Sequence, residues 1–278
     1  MHEDLPDVGV VELTVIDGLR VRLARSGTNQ GIPILLTSPW PESLYAFRDL
    51  LPVLGRRSPL IALDLPGFGL SDSRPDVMSP EGMANFILRT AVHLGISRMH
   101  AIGPDIGTPS LLFAAAQRPD LFESLVVGGG ATNPDLAAGQ LKDLIASEPG
   151  AFAEIDGAPI GAEFVSQSAR IAPPPAVLDD YRQASAGKRF EDATNFVRAY
   201  PRDLPRLERI MGGIETPVLI LAGRDDPIVP PENGRFLAAR LPRNRYVELD
   251  GGHLVWEDTP EAYAGEIERW LASDYRAL

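Results

Sequence analysis

The sequence predicts a doubly wound α/β fold, a mostly parallel sheet with helices on both faces. Three observations carry this. Apolar runs at 33–37, 59–63, 99–102, 121–127 and 216–222 are continuous rather than alternating, as strands covered on both faces should be. Helical patterns separate most of these runs, and alternating strands and helices argue parallel pairing. Gly- or Pro-rich turns follow several run ends, the edge where such sheets bind ligands.

The elements read in order as follows. Residues 10–16 are rich in β-branched side chains and lead into Asp17-Gly18, a hairpin signal. Leu19-Arg20-Val21-Arg22-Leu23-Ala24 alternates with period two, so the chain opens with an antiparallel pair. The strand at 33–37 ends in the loop Ser38-Pro39-Trp40-Pro41-Glu42-Ser43. Ser43 caps a helix that carries Leu44, Phe47, Leu50, Leu51 and Leu54 on one face. The strand at 59–63 is followed by the Gly-rich turn 64–72. Ser79-Pro80-Glu81 starts a helix that runs towards Leu94, with Gly95 as its C-cap. After the strand at 121–127 the rhythm changes. Residues 131–213 hold helical patterns broken by Pro173-Pro174-Pro175 and no convincing strand. Strand 216–222, helix 231–241, strand 245–249 and helix 261–271 complete the chain. The expected division is an α/β core of residues 1–130 and 214–278 with a helical cap, 131–213, over the carboxyl ends of the strands.

Composition narrows the function. The length of 278 residues and a hydrophobic content of 44% suit a soluble globular chain with a sizeable core. A net charge of −12 without a Lys/Arg block speaks against nucleic acid or an anionic membrane as partner. The absence of cysteine excludes disulfides, a thiol nucleophile and thiolate metal sites. The start, Met1-His2-Glu3-Asp4, lacks the basic and apolar regions of a signal peptide, and no apolar run approaches a membrane span. A cytoplasmic, soluble protein is expected.

The chemistry centres on Gly103-Pro104-Asp105-Ile106-Gly107, between an apolar strand and a helical pattern. Two glycines around one residue suit a sharp strand-to-helix turn that lifts the middle side chain above the sheet. That residue is an aspartate. Its carboxylate can attack an sp3 carbon and form an ester that water then cleaves. The alternative is a plain β–α turn with a helix-capping Asp. A nucleophilic Asp needs a base, an acid to orient it, and oxyanion donors. Of four histidines, His2 is terminal, His93 lies in a helix and His100 inside a strand, which leaves His253 in Asp250-Gly251-Gly252-His253 as the base. The acid lies in Gly223-Arg224-Asp225-Asp226-Pro227. Asp226 is preferred to Asp225 because Asp-Pro fixes a side chain at a turn, although such turns also occur without catalysis. Nucleophile, acid and histidine then follow in α/β-hydrolase chain order. The oxyanion donors are the amide of Ile106 and that of Trp40, because Pro39 and Pro41 have none.

These residues, with Pro41-Glu42-Ser43 and Asp64-Leu65-Pro66-Gly67-Phe68-Gly69-Leu70-Ser71-Asp72, resemble the α/β-hydrolase branch that includes epoxide hydrolases and haloalkane dehalogenases. The resemblance covers nearly the whole chain. It implies Asp105 as nucleophile, His253 as water-activating base and Asp226 as orienting acid. There are departures. Ser38-Pro39-Trp40-Pro41 stands where the family usually has His-Gly-x-Pro, and Pro104 where it often has His. Ile106 replaces the halide-binding Trp of haloalkane dehalogenases and the Arg of fluoroacetate dehalogenases. Trp40 stands where haloalkane dehalogenases commonly have Asn, and its indole could supply one halide donor. Epoxide hydrolases use cap tyrosines to donate to the epoxide oxygen. The candidates are Tyr181, in Asp179-Asp180-Tyr181-Arg182, and Tyr200, near a motif whose expected tyrosine is Val197. Either can instead be a packing residue with a wet hydroxyl.

The leading expectation is therefore hydrolysis of an epoxide to a vicinal diol through an ester on Asp105. The alternatives are organohalide dehalogenation, ester or lactone chemistry, and a non-catalytic protein that binds a small ligand. The expected partner is a small hydrophobic molecule. No metal or nucleotide cofactor is implied, because no ligand cluster or Walker pattern is present.

Overall fold

The computed structural model describes residues 4–272 and 274–278; Met1, His2, Glu3 and Ser273 lie outside the described residues. β1 (Val10–Ile16) and β2 (Leu19–Gly27) form the opening hairpin, with Asp17 and Gly18 both at positive φ, 52° and 79°. A two-residue turn of this kind matches the twist of the strands it joins. β2 pairs antiparallel with β4 (Pro59–Leu63). From there the sheet is parallel: β3 (Ile34–Thr37), β5 (Met99–Pro104), β6 (Phe122–Gly128), β7 (Val218–Gly223) and β8 (Asn244–Leu249). The order across the eight strands is β1-β2-β4-β3-β5-β6-β7-β8. The doubly wound, mostly parallel sheet is the predicted one.

Two apolar layers cover its faces, and the pleat decides which side chain joins which. Ile61, Leu125, Val127, Val218 and Ile220 face the layer that includes α2 (Pro80–His93) and α3 (Gly107–Gln117). Leu60, Ala62, Val126, Leu219 and Leu221 face the layer that includes the short helix α1 (Leu51–Leu54). The continuous apolar runs thus reflect burial on both sides. Ser79 caps α2 by accepting the Gly82 amide at 3.0 Å, and Gly95 follows it at φ 68°.

Two local expectations are corrected. Residues 44–54 do not form one helix; a 3-10 turn, Leu44–Phe47, is followed by α1. A continuous helix would ask Pro52 for an amide hydrogen it lacks. The apolar face survives, since Leu44, Phe47, Leu50, Leu51 and Leu54 are all buried. The second correction concerns Arg22, a polar position of the alternating β2. It is buried, and its guanidinium bonds Asp64 at 2.6 Å and Asp180 at 2.6 and 2.9 Å.

Between β6 and β7 the chain forms α4 (Gly139–Ala146), α5 (Ala158–Ser168), α6 (Pro175–Ser185), α7 (Arg189–Arg198) and α8 (Tyr200–Met211), with no strand among the described residues. Asp180 belongs to α6, so Arg22 ties this helical segment to the sheet; removing one partner of such a buried pair costs about 3–5 kcal/mol. α8 buries Leu204, Leu207 and Met211 in the same layer as α2 and α3. After β7 come α9 (Glu232–Ala238), α10 (Val255–Asp258) and α11 (Pro260–Ala272). No described helix is long and apolar enough to cross a membrane.

Candidate active site

β5 delivers Asp105 to a sharp turn. Asp105 has φ 51°, in the left-handed region that a non-glycine residue rarely adopts, so packing holds it there at a cost. The turn needs its flanking glycines for room. A Cβ on Gly103 or Gly107 would meet the Thr37 hydroxyl at 2.6 or 2.4 Å. The amide of Asp105 bonds Gly128 of β6, and its carbonyl accepts from Thr108, so the turn is pinned on both sides. The side chain ends at the start of α3, where unpaired amides favour an anion.

One oxygen of the carboxylate is held. The Trp40 amide donates to Asp105 Oδ2 at 2.8 Å, and the Ile106 amide donates to the same carboxylate. Burial pushes the Asp105 pKa up, against the downward pull of His253 and these two amides. The donors named from the sequence therefore do converge on Asp105.

His253 leaves β8 on the loop 250–254. Its Nδ1 is 2.8 Å from Asp226 Oδ2, and both side chains are buried. The other oxygen of Asp226, Oδ1, accepts from the amides of Ile228 and Val229 at 2.8 and 2.9 Å, which fixes the carboxylate. Asp225 points elsewhere, to Arg170 at 2.5 Å, and is exposed. Burial works against a charged imidazole. The Asp226 charge and hydrogen bond, with Asp105 nearby, outweigh it and leave His253 with a raised pKa. With Nδ1 engaged, Nε2 is the nitrogen free for chemistry.

Asp105 and His253 open into one cavity of about 310 Å3. Its wall is mostly apolar, with Trp40, Phe152, Phe164, Phe190, Leu144 and Ile228 prominent. Phe164 sets its edge on the His253 ring, centroids 6.0 Å apart, and Trp40 lies 5.5 Å from Phe190. Among the described residues, no Lys or Arg lines this cavity.

Neither tyrosine named from the sequence lies on the cavity wall, and they differ in what surrounds their hydroxyls. Tyr181 is not on the cavity wall. It is fully buried and its hydroxyl donates to Glu257 Oε1 at 2.6 Å. Its reading as a pocket acid is corrected: a hydroxyl committed to a buried carboxylate has no hydrogen to offer a substrate. Tyr200 is also buried, edge-on to Phe196. Burial and then the Asp105 charge hold its phenol pKa well above the ordinary value, so it sits within electrostatic reach of that carboxylate.

Sequence reasoning missed what lies behind these residues. Asp258 accepts the Gly252 amide at 3.0 Å and steadies the His253 loop. Trp256 sets its ring edge-on to His253 and donates its indole N–H to Glu42 at 3.1 Å. Glu42 was visible only as a loop residue within the Pro41-Glu42-Ser43 marker. A buried role for it had no local signal, because its partners lie more than 200 positions away.

The chain matches the family model described as the alpha/beta hydrolase fold over residues 32–260. It is 28% identical to an uncharacterized hydrolase, YugF, of Bacillus subtilis, over 83% of this chain and 86% of that one. It is 27% identical to haloalkane dehalogenase 2 of Mycobacterium bovis, over 94% of this chain and 96% of that one. It is 31% identical to the soluble epoxide hydrolase of Corynebacterium sp., over 41% of this chain and 39% of that one.

Proposed function

The chain belongs to the alpha/beta hydrolase fold family, and on that premise we propose that it hydrolyses epoxides to vicinal diols through an ester on Asp105. The observation that carries the reading is the asymmetric Asp105 carboxylate: the Trp40 amide holds Oδ2 in a buried turn that opens into the apolar cavity. A carboxylate bound through one oxygen presents the other as a nucleophile.

The first step is displacement. Asp105 Oδ1 attacks a ring carbon, the C–O bond of the epoxide breaks, and the ring oxygen takes the proton of Tyr200. Tyr200 is the tyrosine suited to this, since it lies near Asp105 and Tyr181 is engaged by Glu257. In the second step His253 Nε2 takes a proton from water, and the resulting hydroxide attacks Cγ of the ester. The Trp40 and Ile106 amides receive the oxyanion. Collapse expels the diol oxygen, which is protonated by the imidazolium, and the acid proton left on Asp105 returns to the Tyr200 phenolate, so that carboxylate and phenol are both restored. Asp226 holds the imidazole orientation throughout. The helical segment 131–213 acts as a cap that supplies the wall carried by Phe152, Phe164 and Phe190, with Tyr200 buried behind that wall within reach of the Asp105 charge.

Dehalogenation is the second reading. It uses the same two steps and is favoured by one observation. The indole Nε1 of Trp40, beside Asp105, is buried without a hydrogen-bond partner among the described residues, and could receive a halide. One donor is fewer than the pair that such a site is expected to need.

The deciding experiment is intact-protein mass spectrometry of His253→Gln after incubation with panels of epoxides and haloalkanes. The expected result is a mass gain equal to the whole epoxide, mapped to Asp105. A gain equal to an alkyl group without its halide would move the assignment to dehalogenation. No adduct from either panel, with wild type inert as well, would sink both readings.

A further inference from the structure

Behind the Asp105 turn lies a cluster that the two-step reaction does not use. Glu42 and Glu257 are both buried, at 0% and 3% exposure. Glu257 Oε1 accepts from Tyr181 at 2.6 Å and from the Arg48 guanidinium. Glu42 Oε1 accepts from Trp256 at 3.1 Å. The second oxygen of each carboxyl, Oε2, is buried with no hydrogen-bond donor among the described residues.

Counting charge makes the arrangement informative. Two carboxyls share one guanidinium, and that guanidinium is on Glu257. Arg48 also leans on Asp49, at 3.4 Å, on the solvent side. Burying a second, unpaired carboxylate would be very costly, and the usual escape is protonation. The groups that bear on Glu42 are Glu257, Asp105 and Arg48, together with the Trp256 N–H. Two of the three charges are negative. Burial first, then Glu257, pushes the Glu42 pKa well up. Glu257 is the worse site for the proton, because Arg48 and Tyr181 both favour its ionised form. Each Oε2 is a buried acceptor with no donor among the described residues, so a hydrogen on Glu42 Oε2 removes the charge that nothing there offsets.

Position in the chain gives the cluster its consequence. Glu42 is two residues beyond Trp40, whose amide holds Asp105. Glu257 is four residues beyond His253, on α10. We propose that Glu42 and Glu257 are an acid pair sharing one proton, carried by Glu42, and that this neutral Glu42 is a positioning residue that locks the Trp40 loop to the His253 loop. The lock rests on the reaction assigned above for its role and on nothing but the cluster for its proton. An ionised Glu42 would add a second negative charge behind Asp105 and repel Glu257, so the two loops would part at high pH.

Two measurements test this, and the first needs no substrate. The infrared difference spectrum between wild type and Glu42→Gln at neutral pH is expected to show one protonated-carboxyl C=O band, lost on alkaline titration of wild type. Absence of that band at neutral pH overturns the proposal whatever the protein turns over. The second is the pH profile of kcat on an epoxide substrate. Glutamine mimics the neutral acid, so Glu42→Gln is expected to stay within about threefold of wild type at neutral pH and to lose the alkaline fall in kcat that wild type shows. Glu42→Ala strands the Trp256 N–H and is expected to lose about tenfold, the order expected for a buried polar group left unpaired. Glutamine as damaging as alanine at neutral pH, or alkaline limbs that coincide in wild type and Glu42→Gln, would overturn the positioning role.

Discussion

Two buried histidines sit in different regions of the same sheet. His100 lies in β5, with the neutral Ser124 hydroxyl 2.8 Å from its Nδ1. His253 lies beyond the carboxyl end of β8, with the carboxylate of Asp226 at the same distance. They are similarly hidden, 6% and 3% exposed, yet they titrate in opposite directions. Burial drives His100 down to about 4, only weakly opposed by Glu123. At His253 the same burial is outweighed by Asp226, and the pKa rises. A histidine is made chemically useful here by its partner, and burial alone makes it inert.

The comparison can be tested from several sides, most forcefully at the proposed nucleophile. On the proposed mechanism, Asp105→Ala is expected to lower turnover by about 10,000-fold or more with the melting temperature little changed, since a nucleophile acts as one unit with its base. Undiminished turnover by that variant would remove the chemical meaning of the His253 end. Asp226→Asn should cost about 1,000-fold to 10,000-fold, the scale of losing the group that orients the imidazole. It should also move the midpoint of the rate profile down, because His253 must be neutral to act and burial would then lose its main opponent. In wild type the rate is expected to fall as pH drops through a midpoint above the ordinary 6.5. A midpoint that Asp226→Asn leaves in place would contradict this account of His253.

Smaller effects separate the two tyrosines. Tyr200→Phe should slow ester formation by about 100-fold, the lower range for a lost general acid, while leaving ester breakdown intact in single-turnover traces. Tyr181→Phe should leave that step alone and instead cost stability, about 1–3 kcal/mol for a buried carboxylate deprived of a donor. Equal slowing by both variants would contradict their different places.

The smallest effects are on stability against pH, and they carry opposite signs. His100 is held below its unfolded value, so its contribution is complete above about pH 6.5 and is lost as pH falls towards about 4. His253 is held above its unfolded value, so its contribution is present below about pH 6.5 and is lost as pH rises through the folded value. Denaturant titrations should therefore show His100→Gln flattening the acid side of the stability curve and His253→Gln flattening the neutral side. Matching curves for the two variants would erase the distinction between the two ends.

Much of this was readable from the chain. The five apolar runs mark five parallel strands because burial on both faces leaves no alternation to confuse them. The Asp105 turn was legible because two glycines around one residue report a local crowding that Thr37 imposes. The helix expected over 44–54 failed on Pro52, a purely local rule that the apolar spacing obscured.

The order of strands, the Asp105 turn and the succession of Asp105, Asp226 and His253 were all set locally along the chain. These follow from periodicity, turn chemistry and the spacing of strand ends, all of them properties of neighbouring residues. Only the tertiary structure decided that Arg22 turns inward to Asp64 and Asp180, that Tyr181 faces Glu257 rather than the cavity, and that Glu42 meets Trp256 across the molecule. The reason is distance along the chain. A buried polar group takes whichever partner packing delivers, and here packing delivers partners that are 42 to 214 positions away.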